Sequence, residues 1–245
     1  MTDEPSSTPA PAGALRLTVF GANGGTGRAV VEQALDAGHV VTAVTRHPEQ
    51  IALSHPALTV LRGDATISGD VRAAIDGSDA VLSALGVPYS RQPITLYSRS
   101  AVRIADEMQR VGIRRLVAVT SSAVDPDAHP EGGIVGKVLI GPLIHRLGHT
   151  MYEDMSRMEE IVAGSDLDWT IFRPPALFDK AGPGPTNVST EPDRARFAAR
   201  QDLAAEMLRE VVAPHHLRRI VYISSLEGHP SILRTIWRDG IRKKG

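Results

Sequence analysis

A glycine-rich turn joins an apolar run to a helical pattern near the start of this chain. The apolar run, residues 15–20, has the length of a buried strand, and the turn GANGGTG occupies residues 21–27. Val30 and Ala34 then recur at helical spacing, and Gly38 follows as a stop signal. Residues 40–45 form a second apolar run. The order predicts a strand, a tight turn, a helix and a second strand, which is a βαβ unit.

The glycines of this turn match the needs of a dinucleotide site. A diphosphate must come close to backbone N–H groups at a helix N-terminus, where the helix dipole favours negative charge. Gly21 then allows the turn, Gly24 the close approach, and Gly27 the packing of the helix on the sheet. Asn23 and Thr26 add side chains that can form hydrogen bonds. The spacing is G-x-x-G-x-x-G rather than the commoner G-x-G-x-x-G, so the flanking strand and helix carry the prediction.

The end of the second strand indicates which dinucleotide binds. An NAD-selective site usually places Asp or Glu there against the ribose hydroxyls, whereas this chain has Thr45, Arg46 and His47. The planar guanidinium of Arg46 can pair with a 2′-phosphate and lie against adenine. We therefore predict NADP(H) as the cofactor. The alternative for Arg46 is a solvated arginine at a strand end.

Composition excludes several classes of function. The chain has 245 residues, of which 42% are hydrophobic, and this suits one α/β domain. Its 27 Lys and Arg nearly balance 28 Asp and Glu, so we expect neither nucleic acid nor a membrane as partner. The absence of cysteine excludes thiolate metal sites and is compatible with a cytoplasmic location. His145 and His149 have helical spacing without a third ligand, so we predict no metal site.

Strand and helix patterns alternate along the rest of the chain. Further strands are predicted at residues 58–62, 80–83, 116–120, 169–173 and 219–223. Helices are predicted at residues 71–75, 95–111, 154–163 and 203–211, the last capped by Asp202. Residues 1–13 are polar and rich in proline, which predicts a disordered tail without a secretory signal. An insertion around 123–151 and a mobile loop within 174–198 are expected to border a substrate pocket.

Candidate binding residues follow the third and fourth strands. Ligands of open parallel sheets collect beyond the carboxyl ends of the strands. Asp64 lies there and can accept a hydrogen bond from the adenine amino group, or it can simply stabilise a turn. Ala84, Leu85 and Gly86 follow the fourth strand, where the backbone can lie under the cofactor ribose. A plain left-handed turn at Gly86 is the alternative.

Candidates for chemistry follow the fifth and sixth strands. Ser121 comes directly after Thr120, and its hydroxyl can donate to a substrate carbonyl that lies over the nicotinamide. Its alternative role is to cap the segment that follows. Pro174 and Pro175 stiffen the turn after the sixth strand, which suits a wall against the nicotinamide ring. Strand termination alone would also account for the two prolines.

Several motifs of this chain resemble those of the atypical short-chain dehydrogenases/reductases. They are GANGGTG, VTRHP, GDAT, LVAVTSS, DMSRMEEIVAGSDLDWTIFRPPAL and RQDLAAEML. The NmrA-like and biliverdin reductase B (flavin reductase)-like proteins are the most similar subgroup. The resemblance, from residue 15 to about 225, implies one Rossmann domain over 14–245, with a doubly wound, mostly parallel sheet of about seven strands and helices on both faces. The predicted cofactor-binding residues are Gly21, Ala22, Asn23, Gly24, Gly25, Thr26, Gly27, Arg46, Asp64, Ala84, Leu85, Gly86, Thr120 and Pro174.

The chain departs from its relatives at the positions that handle protons. Many relatives have a Tyr-x-x-x-Lys pair, whose lysine lowers the tyrosine pKa so that the phenol can protonate a carbonyl. Tyr152 matches the tyrosine, but Ser156 stands where the lysine would be. Biliverdin reductase B-like proteins have histidine after the double proline, and this chain has Ala176. Ser121 and Tyr152 are the predicted catalytic residues.

Bound NADPH without a strong proton donor suits acceptors whose reduced anion is delocalised. The first hypothesis is therefore an NADPH-dependent oxidoreductase that transfers hydride to a planar conjugated small molecule, such as a quinone, flavin or aromatic polyketide. The alternative is a non-catalytic, NmrA-like regulator that senses NADP(H) and binds a protein partner. An epimerase or lyase is disfavoured because it needs the missing acid–base pair. We expect a small-molecule substrate and a monomer or homodimer.

Overall fold

The computed structural model of the chain describes residues 13–88, 90, 92–125, 141–192 and 195–228, with the backbone alone for residues 141–147. The tail predicted at residues 1–13 lies outside this part apart from Gly13. Residues 126–140 of the predicted insertion also lie outside it. In the described part, no helix is both long and apolar enough to cross a membrane.

An eight-stranded sheet lies at the centre of the fold, beside a sheet of two short strands. The strands in chain order are β1 (Arg16–Phe20), β2 (Val40–Thr45), β3 (Leu58–Arg62), β4 (Ala80–Ser83), β5 (Arg115–Val119), β6 (Asp168–Arg173), β7 (Ala176–Phe178), β8 (Thr186–Ser189), β9 (Phe197–Ala199) and β10 (Arg219–Ser225). The large sheet has the order β3-β2-β1-β4-β5-β6-β10-β8, and only β8 is antiparallel to its neighbour. The first six strands follow the Rossmann order, so the predicted fold class is confirmed.

Helices cover both faces of this sheet. They are α1 (Gly25–Asp36), α2 (Ser68–Ile75), α3 (Leu96–Val111), α4 (Gly141–Ala163) and α5 (Arg200–Val212). One face carries α1 packed against α5, and the other carries α2, α3 and α4. Helices on both faces make the sheet doubly wound, as predicted.

Burial on both faces explains why the strands read as continuous apolar runs. In β1, Leu17 and Val19 pack with α1 and α5, whereas Phe20 packs with the opposite helices. Thr18 is fully buried on that second face, and its hydroxyl donates to the Ala74 carbonyl at 2.8 Å. This bond satisfies the one polar side chain that the strand places in the core.

The segment between β6 and α5 differs from the mobile loop predicted within residues 174–198. It contains β7, β8 and β9, and β8 pairs antiparallel with β10 to raise the strand number from seven to eight. The free edge of β10 supplies this pairing, which joins segments remote in sequence and leaves no periodic pattern within β8 itself.

Asp202 also differs from its predicted role as a helix cap. It lies inside α5, where it accepts from the Gly184 N–H at 2.6 Å and pairs with Lys180 Nζ at 2.8 Å.

Helix α4 begins at Gly141 rather than at residue 154, so the end of the predicted insertion is helical. Pro142 lies in the first turn of α4, where a residue without an N–H loses no helical hydrogen bond. Gly148 lies inside the helix, despite the low helix propensity of glycine. These two residues resemble helix breakers in the sequence, which accounts for the late start that was predicted.

Helix α4 also caps helix α3 through one buried carboxylate. Asp154 is fully buried and accepts from the Tyr97 N–H at 2.8 Å and from the Ser98 hydroxyl at 2.5 Å. The residue at the N-cap position of α3, Thr95, makes no side-chain capping bond. Asp154 therefore satisfies the start of α3 from a different helix.

We expect Asp154→Ala to lower the free energy of unfolding by about 3 kcal/mol, because it removes a helix cap and charge-assisted bonds at a buried site. Glu153→Ala, one residue earlier and exposed, is the matched control and should change it by less than about 0.5 kcal/mol. Urea unfolding of the three proteins measures both values. Similar losses in the two variants would contradict the capping role.

Candidate functional site

A cleft of about 1230 Å³ opens at the carboxyl ends of β1 to β6. It exceeds the roughly 300–1,000 Å³ typical of pockets for one small ligand, so a dinucleotide and a second molecule have room. Two predicted residues, Ala22 and Gly27, are buried and do not line it. The predicted residues that do line it are Gly21, Asn23, Gly24, Gly25, Thr26, Arg46, Asp64, Ala84, Leu85, Gly86, Thr120, Ser121, Tyr152 and Pro174.

Two glycines allow the turn after β1 to pack tightly. Gly21 has a φ of 78°, and a Cβ there would lie 2.4 Å from the Ala84 carbonyl oxygen at the end of β4. A Cβ at Gly27 would lie 2.1 Å from the carbonyl oxygen of Gly21. Glycine at position 27 thus lets the start of α1 lie close against the turn after β1. Gly24 is exposed, and its lack of a side chain keeps the start of α1 open to the cleft.

The start of α1 has the features of an anion site. Its first N–H groups have no intrahelical acceptors, and its first turn has no acidic residue and no side-chain cap at Gly24. Thr26 is buried at the base of the cleft. The Asn23 side chain donates to Gln50 Oε1 and accepts from Arg28 Nη2, both at 2.5 Å. Asn23 therefore fixes the turn to its neighbours.

Arg46 and Asp64 lie at the predicted adenine end of the cleft. Arg46 is exposed, and its backbone carbonyl accepts from Arg62 Nη1 at 2.7 Å. Asp64 Oδ1 accepts from the N–H and the hydroxyl of Thr66, at 2.8 and 2.7 Å, which is the turn-stabilising role. Burial raises the Asp64 pKa, but the Thr66 bonds and the charge of Arg46 outweigh it and hold that pKa below its usual value. The carboxylate is therefore ionised and can still accept further hydrogen bonds.

The end of β5 presents two hydroxyls with different surroundings. Ser121 Oγ accepts from the Ala123 N–H at 3.2 Å and caps the short 3₁₀ helix Ser122–Val124. A serine that accepts one bond keeps its own hydrogen as a donor. Thr120 Oγ1 instead donates to Glu159 Oε1 at 2.6 Å. Ser121 is thus the hydroxyl that can address a substrate.

A largely buried polar network supports this strand end, and no motif or periodicity in the sequence indicates it. Arg173 Nη2 pairs with Glu159 Oε2 at 2.6 Å, and Arg173 Nη1 donates to the Tyr222 hydroxyl at 2.7 Å. The Tyr222 hydroxyl donates to Asp125. Burial raises the Tyr222 pKa to about 12, and the bond to Asp125 acts in the same direction. Burial lowers the Arg173 pKa, but Glu159 more than reverses this effect. Both groups keep their protons at neutral pH, so the network is structural.

The opposite end of the cleft is mostly apolar. Tyr152 lies in its wall and is only 7% exposed. Apolar lining residues that belong to or pack against the same hydrophobic cluster as Tyr152 are Val87, Ala123, Met151 and Met155, and Leu96 and Leu177 add further apolar lining. Among the described residues that line the cleft there is no lysine. In the same described part, no three His, Asp or Glu residues come together as metal ligands.

Two arginines that sequence analysis missed also line the cleft. Arg196 precedes β9, and Arg200 is the first residue of α5. The only signal for Arg200 was its place in the RQDLAAEML motif. With Arg46, these arginines outnumber Asp64, which is the one acidic residue among the described residues of the lining, and this favours an anionic ligand.

Comparison with known proteins shows that this chain is similar to NAD(P)H-binding proteins. Residues 21–214 match a protein family described as NAD(P)H-binding. An uncharacterized chloroplastic protein of Arabidopsis thaliana is 29% identical over 209 residues, which cover 80% of this chain and 71% of that protein.

Solved structures show that the fold is shared. A short-chain dehydrogenase/reductase from Veillonella parvula in complex with NADP superposes with a TM-score of 0.72 at 16% identity, covering 88% of this chain and 97% of that chain. ChuY, an anaerobilin reductase from Escherichia coli O157:H7, superposes with a TM-score of 0.69 at 24% identity, covering 88% and 100%. At these identities the likeness concerns architecture.

We expect Arg46→Ala to raise the KM for NADPH at least about tenfold and to leave the KM for NADH nearly unchanged, because only NADPH has a 2′-phosphate to pair with the guanidinium. Arg46→Lys, which keeps the charge without the planar fork, should give an intermediate preference. Initial rates over both coenzymes measure the effect. An equal rise for NADPH and NADH would contradict the assignment.

Proposed function

Because the chain belongs to the NAD(P)H-binding family, we propose that it is an NADPH-dependent oxidoreductase that transfers hydride to a planar conjugated small molecule. The acceptors that fit are quinones, flavins and aromatic polyketides. The observation that carries the proposal is one continuous cleft with an anion-binding end at α1 and an apolar end at Tyr152. A dinucleotide in this cleft would present its nicotinamide to the apolar end.

The choice of NADP(H) rests on the end of β2. Arg46 lines the cleft there, and the position that carries a carboxylate in NAD-selective sites has none. The short-chain dehydrogenase/reductase of Veillonella parvula, described in complex with NADP, has the same architecture. Both observations support NADP(H) as the cofactor.

The class of substrate rests on the apolar end. Met151 and Met155 supply flexible, polarisable thioethers that pack well against aromatic rings, and Val87 adds apolar surface. A small hydrophobic face of this kind favours a flat, conjugated molecule over a sugar. ChuY, whose fold this chain shares, is described as an anaerobilin reductase.

The reduction of such a substrate needs little proton transfer from the enzyme. Bound NADPH would supply the hydride and leave as NADP⁺, and a quinone that accepts a hydride needs only one further proton, from water, to become the hydroquinone. The hydroxyl of Ser121 donates a hydrogen bond to the substrate carbonyl on which charge develops. Tyr152 lines the cleft, and Ser156 stands where the Tyr-x-x-x-Lys motif has its lysine, so Tyr152 acts as a contact and weak donor.

We propose that the protein works in the cytoplasm as a monomer or homodimer on a small-molecule substrate. The composition without cysteine fits a reducing compartment. The Arabidopsis relative is described as chloroplastic, which makes cell fractionation a useful check.

The proposal predicts steady NADPH oxidation by the purified chain with a naphthoquinone, a flavin or an anthraquinone-type polyketide, and none with a saturated ketone, whose alkoxide needs an enzymic acid. Absorbance of NADPH measures the rate, and calorimetry measures NADPH binding in parallel. If NADPH binds and no acceptor on the panel is reduced, the oxidoreductase proposal is wrong. That result would favour the NADP(H)-sensing regulator, to which the missing Tyr-Lys pair also points.

We expect Ser121→Ala to lower kcat/KM for the quinone by about tenfold, the value of one hydrogen bond to a developing charge. Ser122→Ala, the neighbouring serine in the same lining, is the matched control and should have little effect.

Tyr152→Phe should change the quinone rate by less than about threefold, since no proton is drawn from it. A much larger loss in Tyr152→Phe would identify Tyr152 as the acid after all.

A further inference from the structure

The side chain of Arg200 lies against the first turn of α1. A Cβ at Gly25 would be 2.6 Å from Cδ and 2.8 Å from Nε of Arg200, so a side chain at position 25 would displace this arginine from its present position. Arg200 also lines the cleft that Gly24 and Gly25 line. A guanidinium from the far end of the chain is therefore placed beside the N–H groups proposed to bind the diphosphate.

This arrangement brings like charges together. The N-terminus of α1 carries the positive end of a helix dipole, and neither an acidic residue in its first turn nor a side-chain cap offsets it. Adding a guanidinium there raises the local positive potential further. The N-terminus of α5 differs, because Asp202 lies in its first turn. An anion in the cleft that reaches both the first N–H groups of α1 and the Arg200 guanidinium would satisfy both positive groups at once.

One carboxylate orients Arg200 from the side. Asp179, just after β7, accepts from Arg200 Nη1 at 2.8 Å. The Asp179 side chain is 73% exposed, so water screens much of its charge. A guanidinium has five N–H donors in a planar fork, and Asp179 accepts from one nitrogen. The other donors remain for a second acceptor.

We propose that Arg200 binds the diphosphate of the dinucleotide, as the side-chain partner of the backbone N–H groups at the start of α1. This inference rests on the proposed cofactor site and extends it to α5. Arg46 would then select the 2′-phosphate, and Arg200 would bind the group that NADP(H) and NAD(H) share. The two arginines therefore have separable effects.

Calorimetry with ligand fragments tests this separation. ADP-ribose has the diphosphate and no 2′-phosphate, and adenosine 2′-monophosphate has the 2′-phosphate and no phosphate at the 5′ position. Arg200→Gln should weaken ADP-ribose, NADP⁺ and NAD⁺ by a common factor of about 10 to 100, the range for a charge-assisted bond, and change adenosine 2′-monophosphate by less than about threefold. Arg46→Ala should show the reverse pattern with the two fragments. Arg200→Lys, which keeps the charge, should fall between the wild type and Arg200→Gln.

Two controls exclude trivial explanations. Arg209→Gln removes the same charge from the exposed far part of α5, and Asp179→Asn removes the ion pair and keeps Arg200. Both should bind NADP⁺ within about threefold of the wild type. An equal loss in Asp179→Asn and Arg200→Gln would overturn the proposal, because Arg200 would then act only by fixing the segment after β7. So would unchanged ADP-ribose binding in a folded Arg200→Gln.

The experiments distinguish an error in the proposed activity from an error in the proposed role of Arg200. Wild-type protein that binds NADP⁺ and reduces no acceptor leaves the diphosphate contact of Arg200 intact. Wild-type protein that binds no dinucleotide overturns both.

Discussion

The fold depends on a backbone contact between the turn after β1 and the end of β4. Gly21 reaches the Ala84 carbonyl so closely that any side chain there would collide with it, and Gly27 lies equally close to Gly21. The turn can therefore lie flat on the sheet edge, and α1 begins at the mouth of the cleft. Since α1 also supports α5, the same contact fixes the direction from which Arg200 approaches.

The central sheet was readable from sequence because its strands are buried on both faces. The bounds of β2, β3 and β4 match the apolar runs, since each run is long enough for one strand and ends at a turn residue. Strand β8 could not be found in this way. It forms because the edge of β10 accepts it, and nothing within Thr186–Ser189 specifies that partner. The early start of α4 was hidden similarly, by a proline and a glycine whose cost depends on their position in the helix.

The residues of the candidate site also differ in whether the sequence alone could predict them. Ligand positions at strand ends are predictable because the carboxyl ends of parallel strands meet at one edge, and Arg46, Asp64 and Ser121 all line the cleft. The Glu159–Arg173 pair and the contact between Gly25 and Arg200 join residues of different elements that share no period or motif spacing. Such contacts follow from tertiary packing alone. A glycine beside a predicted helix start is still informative, because Gly25 both lines the cleft and makes room for a side chain from another element.

The distribution of charge along the cleft then bears on the proposed chemistry. Arg46 lines the cleft at the end of β2 and Arg200 lines it beside the first turn of α1, whereas the described lining near Tyr152 has apolar side chains and no lysine. In the proposed function the two arginines bind phosphates of the cofactor, and the acceptor receives a hydrogen bond from Ser121. An acceptor that delocalises its own developing charge needs no more than this. A conjugated ring meets that condition and a simple ketone does not, so the positions of the arginines support the proposed substrate class as much as the shape of the pocket does.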